Sequence, residues 1–268
     1  MNYWRDKVVL VTGASRGIGA ALTTELASMG AQLVLTARNE KRLRQLAQDL
    51  TASGTNCTYA VADVRDQKAV EQVVHHGFDC FGRIDVLINN AGIGLRGPVA
   101  SLQPVQLAEA FAVNVGGPLY FIQATVPFFE RQGSGLIINI ASLGAVQAAP
   151  NIGGYAATKA ALAKLGNTLQ LELHSSGIRT CTAYPGSART EFRNHALGEK
   201  YLEKEPRLSR VAPQLVAKRI LKRAATGKGD IYITTGDWLL ARLAGVAPSV
   251  AKFLVGWVFQ HGRDNSKS

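Results

Sequence analysis

Tyr155 and Lys159 stand four residues apart at the start of a stretch with helical periodicity, which puts both side chains on one helical face within mutual reach. An isolated phenol has a pKa near 10, so only about a thousandth of it is ionised at neutral pH. A neighbouring ammonium favours the phenolate and lowers that value. Such a tyrosine can give a proton to a nascent alkoxide or take one from an alcohol. Ser142, in Asn139-Ile140-Ala141-Ser142, follows a run that reads as a strand, and its hydroxyl can hydrogen-bond a substrate carbonyl held near Tyr155. Asn114 sits inside a long helical pattern and is followed by Val115-Gly116-Gly117-Pro118. A polar residue ahead of helix breakers predicts a kink whose carbonyl could hold a water. Each residue also has a plainer reading: a surface Tyr–Lys pair, a turn or capping serine, and a core asparagine satisfied by backbone.

A second constellation is suited to phosphate. Thr12-Gly13-Ala14-Ser15-Arg16-Gly17-Ile18-Gly19 follows an apolar run and opens a helical one. Glycines there permit a tight turn, close backbone approach to a pyrophosphate and close helix–strand packing, while the helix N-terminus offers free N–H groups. Preference for a free ribose 2′-hydroxyl usually needs an acid about 20 residues further on. This chain has Thr36-Ala37-Arg38 instead. Arg38 and Arg16 offer two guanidinium groups that match a 2′-phosphate in charge and geometry, which favours NADP over NAD. The competing reading makes both arginines solvated surface groups.

The elements that must position these residues follow from periodicity. Residues 8–11, 32–36, 57–61, 85–89, 136–140, 179–183 and 230–233 read as strands, the first, fourth and fifth nearly all apolar, as for parallel strands buried on both faces. Residues 18–29, 40–50, 67–81, 104–131, 155–175 and 213–225 read as helices. The alternation predicts an α/β, doubly wound parallel sheet of Rossmann type, with about seven strands and helices on both faces. No repeat or linker divides residues 1–268, so one domain is expected. Residues 190–210 are polar and charged, and a lid over the strand ends is the expected use. Residues 237–268 extend beyond the last strand.

In that extension Val250, Phe253, Leu254, Trp257 and Val258 make a helical apolar stripe, widened by Val255 and Phe259. It could pack on its own domain or a partner subunit, lie in a membrane interface, or wall an apolar substrate pocket; the last two favour a lipophilic substrate. The 268 residues carry a formal net charge of +11, and 47% of them are hydrophobic, so a disordered chain is excluded. Ten basic residues between 193 and 228 face three acids, which places most of the excess charge there. A solvated basic face and an anionic surface or substrate tail are the two readings. Nucleic acid is not expected, since no aromatics interleave with the charges. The cysteines (Cys57, Cys80 and Cys181) are dispersed, which argues against a disulfide framework or zinc site. The apolar run at 8–11 is too short for a signal core, and no run approaches the roughly 20 residues of a spanning helix. The expected location is cytoplasmic, with membrane association through the basic stretch and the extension as an open reading.

Taken in order, Thr12–Gly19, Asp63-Val64, Asn89-Asn90-Ala91-Gly92, Asn114, Ser142, Tyr155 with Lys159, and Pro185-Gly186 with Thr190 resemble the short-chain dehydrogenase/reductase family in its compact single-domain branch. The resemblance spans roughly residues 7–233, and the extension is similar to that of 11β-hydroxysteroid-dehydrogenase-like members. It implies an NADP(H)-dependent carbonyl reductase/alcohol dehydrogenase with Asn114, Ser142, Tyr155 and Lys159 as catalytic tetrad. Tyr155 would be the acid/base, and Lys159 would lower its pKa and bind nicotinamide-ribose hydroxyls. Ser142 would polarise the carbonyl, and Asn114 would place a water in the proton relay. Gly13, Ser15, Arg16, Gly17, Ile18, Gly19 and Arg38 would hold the cofactor's phosphates. Asp63 and Val64 would touch the adenine, and Asn90, Ala91 and Gly92 would support the cofactor. Pro185, Gly186, Ala188 and Thr190 would line the nicotinamide and diphosphate; Ala188 departs from the family's usual Val or Ile. No metal is expected. The implied substrate is a lipophilic ketone or alcohol, steroid-like or fatty-acyl, with 3-oxoacyl-thioester reduction on acyl-carrier protein as the alternative and an NADPH-sensing regulator as a remoter one. A homodimer or homotetramer is the family's common assembly.

Overall fold

Strands that are apolar at every position need cover on both faces, and their arrangement supplies it. A computed structural model describes residues 2–199, 211–227 and 229–261. β1 (Val8–Thr12), β2 (Gln32–Ala37), β3 (Cys57–Val61), β4 (Val86–Asn89), β6 (Gly135–Ile140), β7 (Ile178–Tyr184) and β9 (Asp230–Tyr232) form a parallel sheet in the order β3-β2-β1-β4-β6-β7-β9. Strand order reverses between β1 and β4, so the loops after these two strands diverge and leave a crevice at the sheet's carboxyl edge.

Side chains alternate across the sheet. Val9, Val11, Leu33, Leu35 and Ile88 pack on one face with Leu22 and Leu26 of α1 (Gly17–Ser28) and Val216 and Ile220 of α7 (Pro213–Ala225). Val8, Leu10, Val34, Leu87 and Ile137 pack on the other, with Val70 and Val73 of α3 (Gln67–Phe81) and Phe121 and Phe129 of α5 (Gly117–Gln132). α2 (Glu40–Ala52) covers the β2–β3 end and α6 (Gly153–Glu172) the β6–β7 side. At the opposite, amino edge the buried Asp85 carboxylate accepts from the Val8 amide at 2.9 Å, Lys7 Nζ at 3.2 Å and Arg83 Nη2 at 2.6 Å. This ties the start of β1 to that of β4.

One sequence expectation needs correction, and the structure adds detail to the others. The helix expected over 104–131 is two, α4 (Pro104–Phe111) and α5, joined by a π-helical turn at Ala112–Gly116 that contains Asn114; the widened turn absorbs the Gly-Gly-Pro sequence without breaking the chain's direction. A two-stranded parallel ribbon, β5 (Leu95–Arg96) with β8 (Leu197–Gly198), was not foreseen, because two-residue strands carry no periodicity. The helical extension is a pair of helices, α8 (Thr235–Val246) and α9 (Pro248–His261), separated at Ala247 with Pro248 opening the second. Thr234 caps α8 reciprocally with Asp237. Of the segment expected as a lid, residues 190–199 include a 3₁₀ turn at Glu191–His195, and residues 200–210 lie outside the described residues.

Candidate active site

The turn after β1 is held open by its neighbours. Gly13 has φ +63°, and a Cβ there would stand 2.8 Å from Ala91 Cα; a Cβ at Gly19 would collide with the Gly13 carbonyl. Asn90 Nδ2 donates to the carbonyls of Thr12 at 2.9 Å and Gly13 at 3.2 Å, while Thr12 Oγ1 accepts from the amides of Asn90 at 3.0 Å and Ala91 at 2.9 Å. The β4 loop thus fixes the glycine turn, and the first amides of α1 remain free to face an anion.

Arg16, Arg38 and Arg42 line one end of the cavity above this turn. Burial and the charges of Arg38 and Arg42 lower the Arg16 pKa, and Glu191 opposes them. Arg38 reaches Asp63 only loosely, at 3.8 Å, because Asp63 is engaged by Arg65 at 2.7 Å. Arg65 holds the Asp63 carboxyl below its ordinary range. Glu191 pairs with Arg42 at 2.9 Å. Gathering three guanidinium groups costs repulsion that a bound anion would relieve.

At the other end Tyr155 and Ser142 line the cavity together, the Ser142 hydroxyl close enough to act on the phenol. Ser142 Oγ also accepts from the Gly144 amide at 3.1 Å, and this fixes it at the tip of β6. Burial pushes the Tyr155 phenol up to about 12, and the neighbouring Ser142 hydroxyl works against that. The Lys159 ammonium donates to the Ile140 carbonyl at 2.8 Å, and burial lowers its pKa to about 8. Gly92 closes over both partners: a Cβ there would lie 3.1 Å from Asn114 Oδ1 and 3.3 Å from Lys159 Nζ. Asn114 is fully buried; its Oδ1 accepts from the Ile93 amide at 2.8 Å and its Nδ2 donates to Thr158 Oγ1 at 2.9 Å. The Phe192 ring meets the Tyr155 ring edge-on at 5.7 Å.

One cavity of about 1020 Å³ joins both ends. It is lined by Gly13, Ser15, Arg16, Gly17, Ile18, Gly19, Arg38, Asp63, Val64, Asn90, Ala91, Gly92, Ser142, Tyr155, Lys159, Pro185, Gly186, Ala188 and Thr190. Asn114 alone among the predicted site residues lies behind the wall. Sequence reasoning missed Arg42, Glu191, Phe192 and Gln147. Arg42 carried a signal, since it falls one helical turn after Arg38; Glu191 and Phe192 sit on a short 3₁₀ turn and Gln147 on a bend, which carry no periodicity. The outer wall is Leu240 of α8 and Leu254, Val255, Val258 and Phe259 of α9. The expected single stripe therefore splits, with Val250, Phe253 and Trp257 facing away, 50%, 70% and 52% exposed.

The family model of short chain dehydrogenases matches residues 7–200, nearly three quarters of the chain. The chain belongs to this family. As a short-chain dehydrogenase it is an oxidoreductase with a Rossmann-type fold. An uncharacterized oxidoreductase of Staphylococcus epidermidis is 36% identical over 186 residues, which cover 69% of this chain and 80% of the relative. The crystal structure of a short chain dehydrogenase/reductase from Burkholderia phymatum in complex with NAD is similar at TM-score 0.85 and 25% identity, covering 93% of this chain and 96% of that one. An alcohol dehydrogenase from the archaeon Thermococcus sibiricus, complexed with 5-hydroxy-NADP, is similar at TM-score 0.76 and 29% identity, covering 85% and 96%. The two neighbours differ in the dinucleotide they hold.

Proposed function

We propose that this short-chain dehydrogenase is an NADP(H)-dependent carbonyl reductase/alcohol dehydrogenase acting on a lipophilic secondary alcohol or ketone. The observation that carries the reading is that Ser142, Tyr155 and Lys159 line the same cavity as three guanidinium groups. The residues fit a dinucleotide, since the glycine turn leaves a cradle that side chains would fill and the Arg16–Arg38–Arg42 cluster needs an anion. When bound, NADP(H) supplies or accepts the hydride at nicotinamide C4.

The chain's own residues handle the oxygen and the proton. Ser142 Oγ donates a hydrogen bond to the substrate carbonyl and aligns it beside Tyr155. Tyr155 Oη gives its proton as negative charge builds on that oxygen, and in the reverse sense takes it from the alcohol. A phenol kept protonated by burial is the donor that reduction needs. Lys159, one turn away, stabilises the phenolate left behind, and Asn114 fixes the backbone against which Lys159 is packed. The α9 side chains Leu254, Val255, Val258 and Phe259 give the substrate end an apolar wall, which supports a lipophilic substrate.

Nicotinamide absorbance followed over a ketone panel tests the reading. We expect NADPH-dependent turnover of apolar ketones and a loss of at least about 10²-fold in Tyr155→Phe with dinucleotide binding retained. Unchanged turnover in that variant defeats the assignment. Turnover of acyl-carrier-protein thioesters but not of free ketones moves the substrate class. Exposed apolar side chains on α4 and α6 (Val105, Leu165 and Leu171) support self-association into a homodimer or homotetramer, which sedimentation measures. No helix among the described residues is long and apolar enough to cross a membrane.

A further inference from the structure

We propose that the outer face of the α8–α9 pair docks on an anionic lipid surface and that the cavity takes its lipophilic substrate from that surface; the second half rests on the reading above.

α9 carries one wide apolar arc, whose two adjoining halves face different surroundings. Ala251, Leu254, Val255 and Val258 turn inward, and Ala251 is buried. Val250, Phe253 and Trp257, spaced i, i+3, i+7, turn away from them. Ser249, Lys252 and Gly256 fill the rest of the circumference, and an apolar arc this wide is ordinarily covered along its whole width. Here one face closes the cavity and the other is exposed. α8 adds Trp238, Leu239 and Val246, which are 43%, 56% and 87% exposed. Apart from Leu254 at the cavity, six of the fifteen large apolar side chains exposed among the described residues lie on these two helices, so the exposure is concentrated rather than scattered.

Charge selects the occupant. The single acid on α8–α9, Asp237, is engaged in capping, accepting from the Thr234 amide at 3.0 Å. The cations are Arg242, which lies over the Trp238 ring at 5.7 Å, and Lys252, both exposed. Arg219 of α7 donates to the Ile233 carbonyl beside the α8 cap, and Lys222 and Arg223 continue that exposed basic stripe, while Lys218 stands 3.9 Å from Glu25 of α1. Aromatic and aliphatic side chains flanked by cations, with the α8 carboxylate engaged in the cap and Asp230 of β9 facing Arg242, match an interface of acyl chains below and phosphate headgroups above. A second copy would set the same cations against each other. The contact is interfacial, since neither helix can span. With α9 forming both the contact and the cavity wall, an apolar substrate dissolved in the lipid has a short route to Tyr155.

The test is flotation of the full chain with phosphatidylcholine vesicles and with vesicles containing phosphatidylglycerol, without cofactor or substrate. We expect binding at least about tenfold tighter to the anionic vesicles, weakened by salt. Brominated lipid should quench the fluorescence of Trp238 and Trp257. Phe253→Glu and, separately, Lys252→Glu should weaken vesicle binding; Lys252→Glu changes only a surface charge and guards against misfolding of the first. Turnover then tests loading: anionic vesicles should lower KM for a long-chain ketone and leave KM for a short water-soluble ketone unchanged in the wild type, and Phe253→Glu should abolish the effect. Absence of binding to anionic vesicles overturns the docking, as does a Phe253→Glu protein that shifts to monomer while the wild type never floats. Vesicle binding with no vesicle effect on KM overturns the loading. Vesicle binding by a chain that turns over no ketone supports the docking and rejects the enzymatic reading instead.

Discussion

Burial works against both ionisable groups at the reacting end of the cavity. Lys159 is lowered to about 8 from 10.5, so below pH 8 the native state holds a charged, desolvated ammonium. Between about 8 and 10.5 the unfolded chain binds more protons at this position than the folded one, and stability rises with pH. Tyr155, raised to about 12 from 10.0, contributes the opposite slope above pH 10, because there the unfolded chain has lost a proton that the native state keeps. In thermal melts of the cofactor-free protein, the wild type should therefore gain stability relative to Lys159→Met from pH 8 to 10; parallel curves would show that Lys159 is not desolvated. At the other end, Arg38→Asp should weaken 2′-AMP binding at least about tenfold while leaving 5′-AMP unaffected, since it removes a charged donor and adds a repelling carboxylate. Arg42→Gln should do the same more weakly, because Arg42 is shared with Glu191. Equal binding of 2′-AMP and 5′-AMP by the wild type would reject the NADP reading altogether.

Elements are anchored at the amino edge of the sheet and work at the carboxyl edge. Asp85 gathers the Val8 amide, Lys7 and Arg83, so Asp85→Ala would leave a buried amide unpaired and two cations without their carboxylate. We expect a loss of about 2–3 kcal/mol in denaturant unfolding, with dinucleotide affinity unchanged at temperatures where the protein stays folded. The seven long strands were legible because buried parallel strands are continuous apolar runs, and their order placed Ser142 and the Thr12–Gly19 turn at one edge. The break at Asn114 was legible only as a disturbance. Its Gly-Gly-Pro sequence announces one, but a π-turn satisfied by Ile93 and Thr158 depends on partners far away in sequence. The β5–β8 ribbon was invisible for the same reason. Its register is set by pairing between residues about a hundred positions apart, not by local pattern.

Across the whole molecule the cavity is assembled from two kinds of sequence. Its cofactor end comes from strand-end loops with fixed residue types, which spacing alone could gather. Its substrate end comes from α9, the 3₁₀ turn at Glu191–His195 and the β5 loop, whose meeting depends on how the extension folds back. Periodicity identified α9 as apolar but could not say which residues face inward, since both faces carry apolar side chains. The two ends should separate experimentally. Leu254→Ala with Val258→Ala removes five methylene equivalents from the wall, each worth about 0.8 kcal/mol when fully covered by substrate. Partial contact with substrate reduces that, and we expect KM for a long-chain ketone to rise roughly tenfold or more. NADP affinity and turnover of a short ketone should stay as in the wild type, because neither side chain approaches Arg38 or the glycine turn. If both ketones lose rate equally, α9 supports the Tyr155 end of the site rather than the substrate's apolar body.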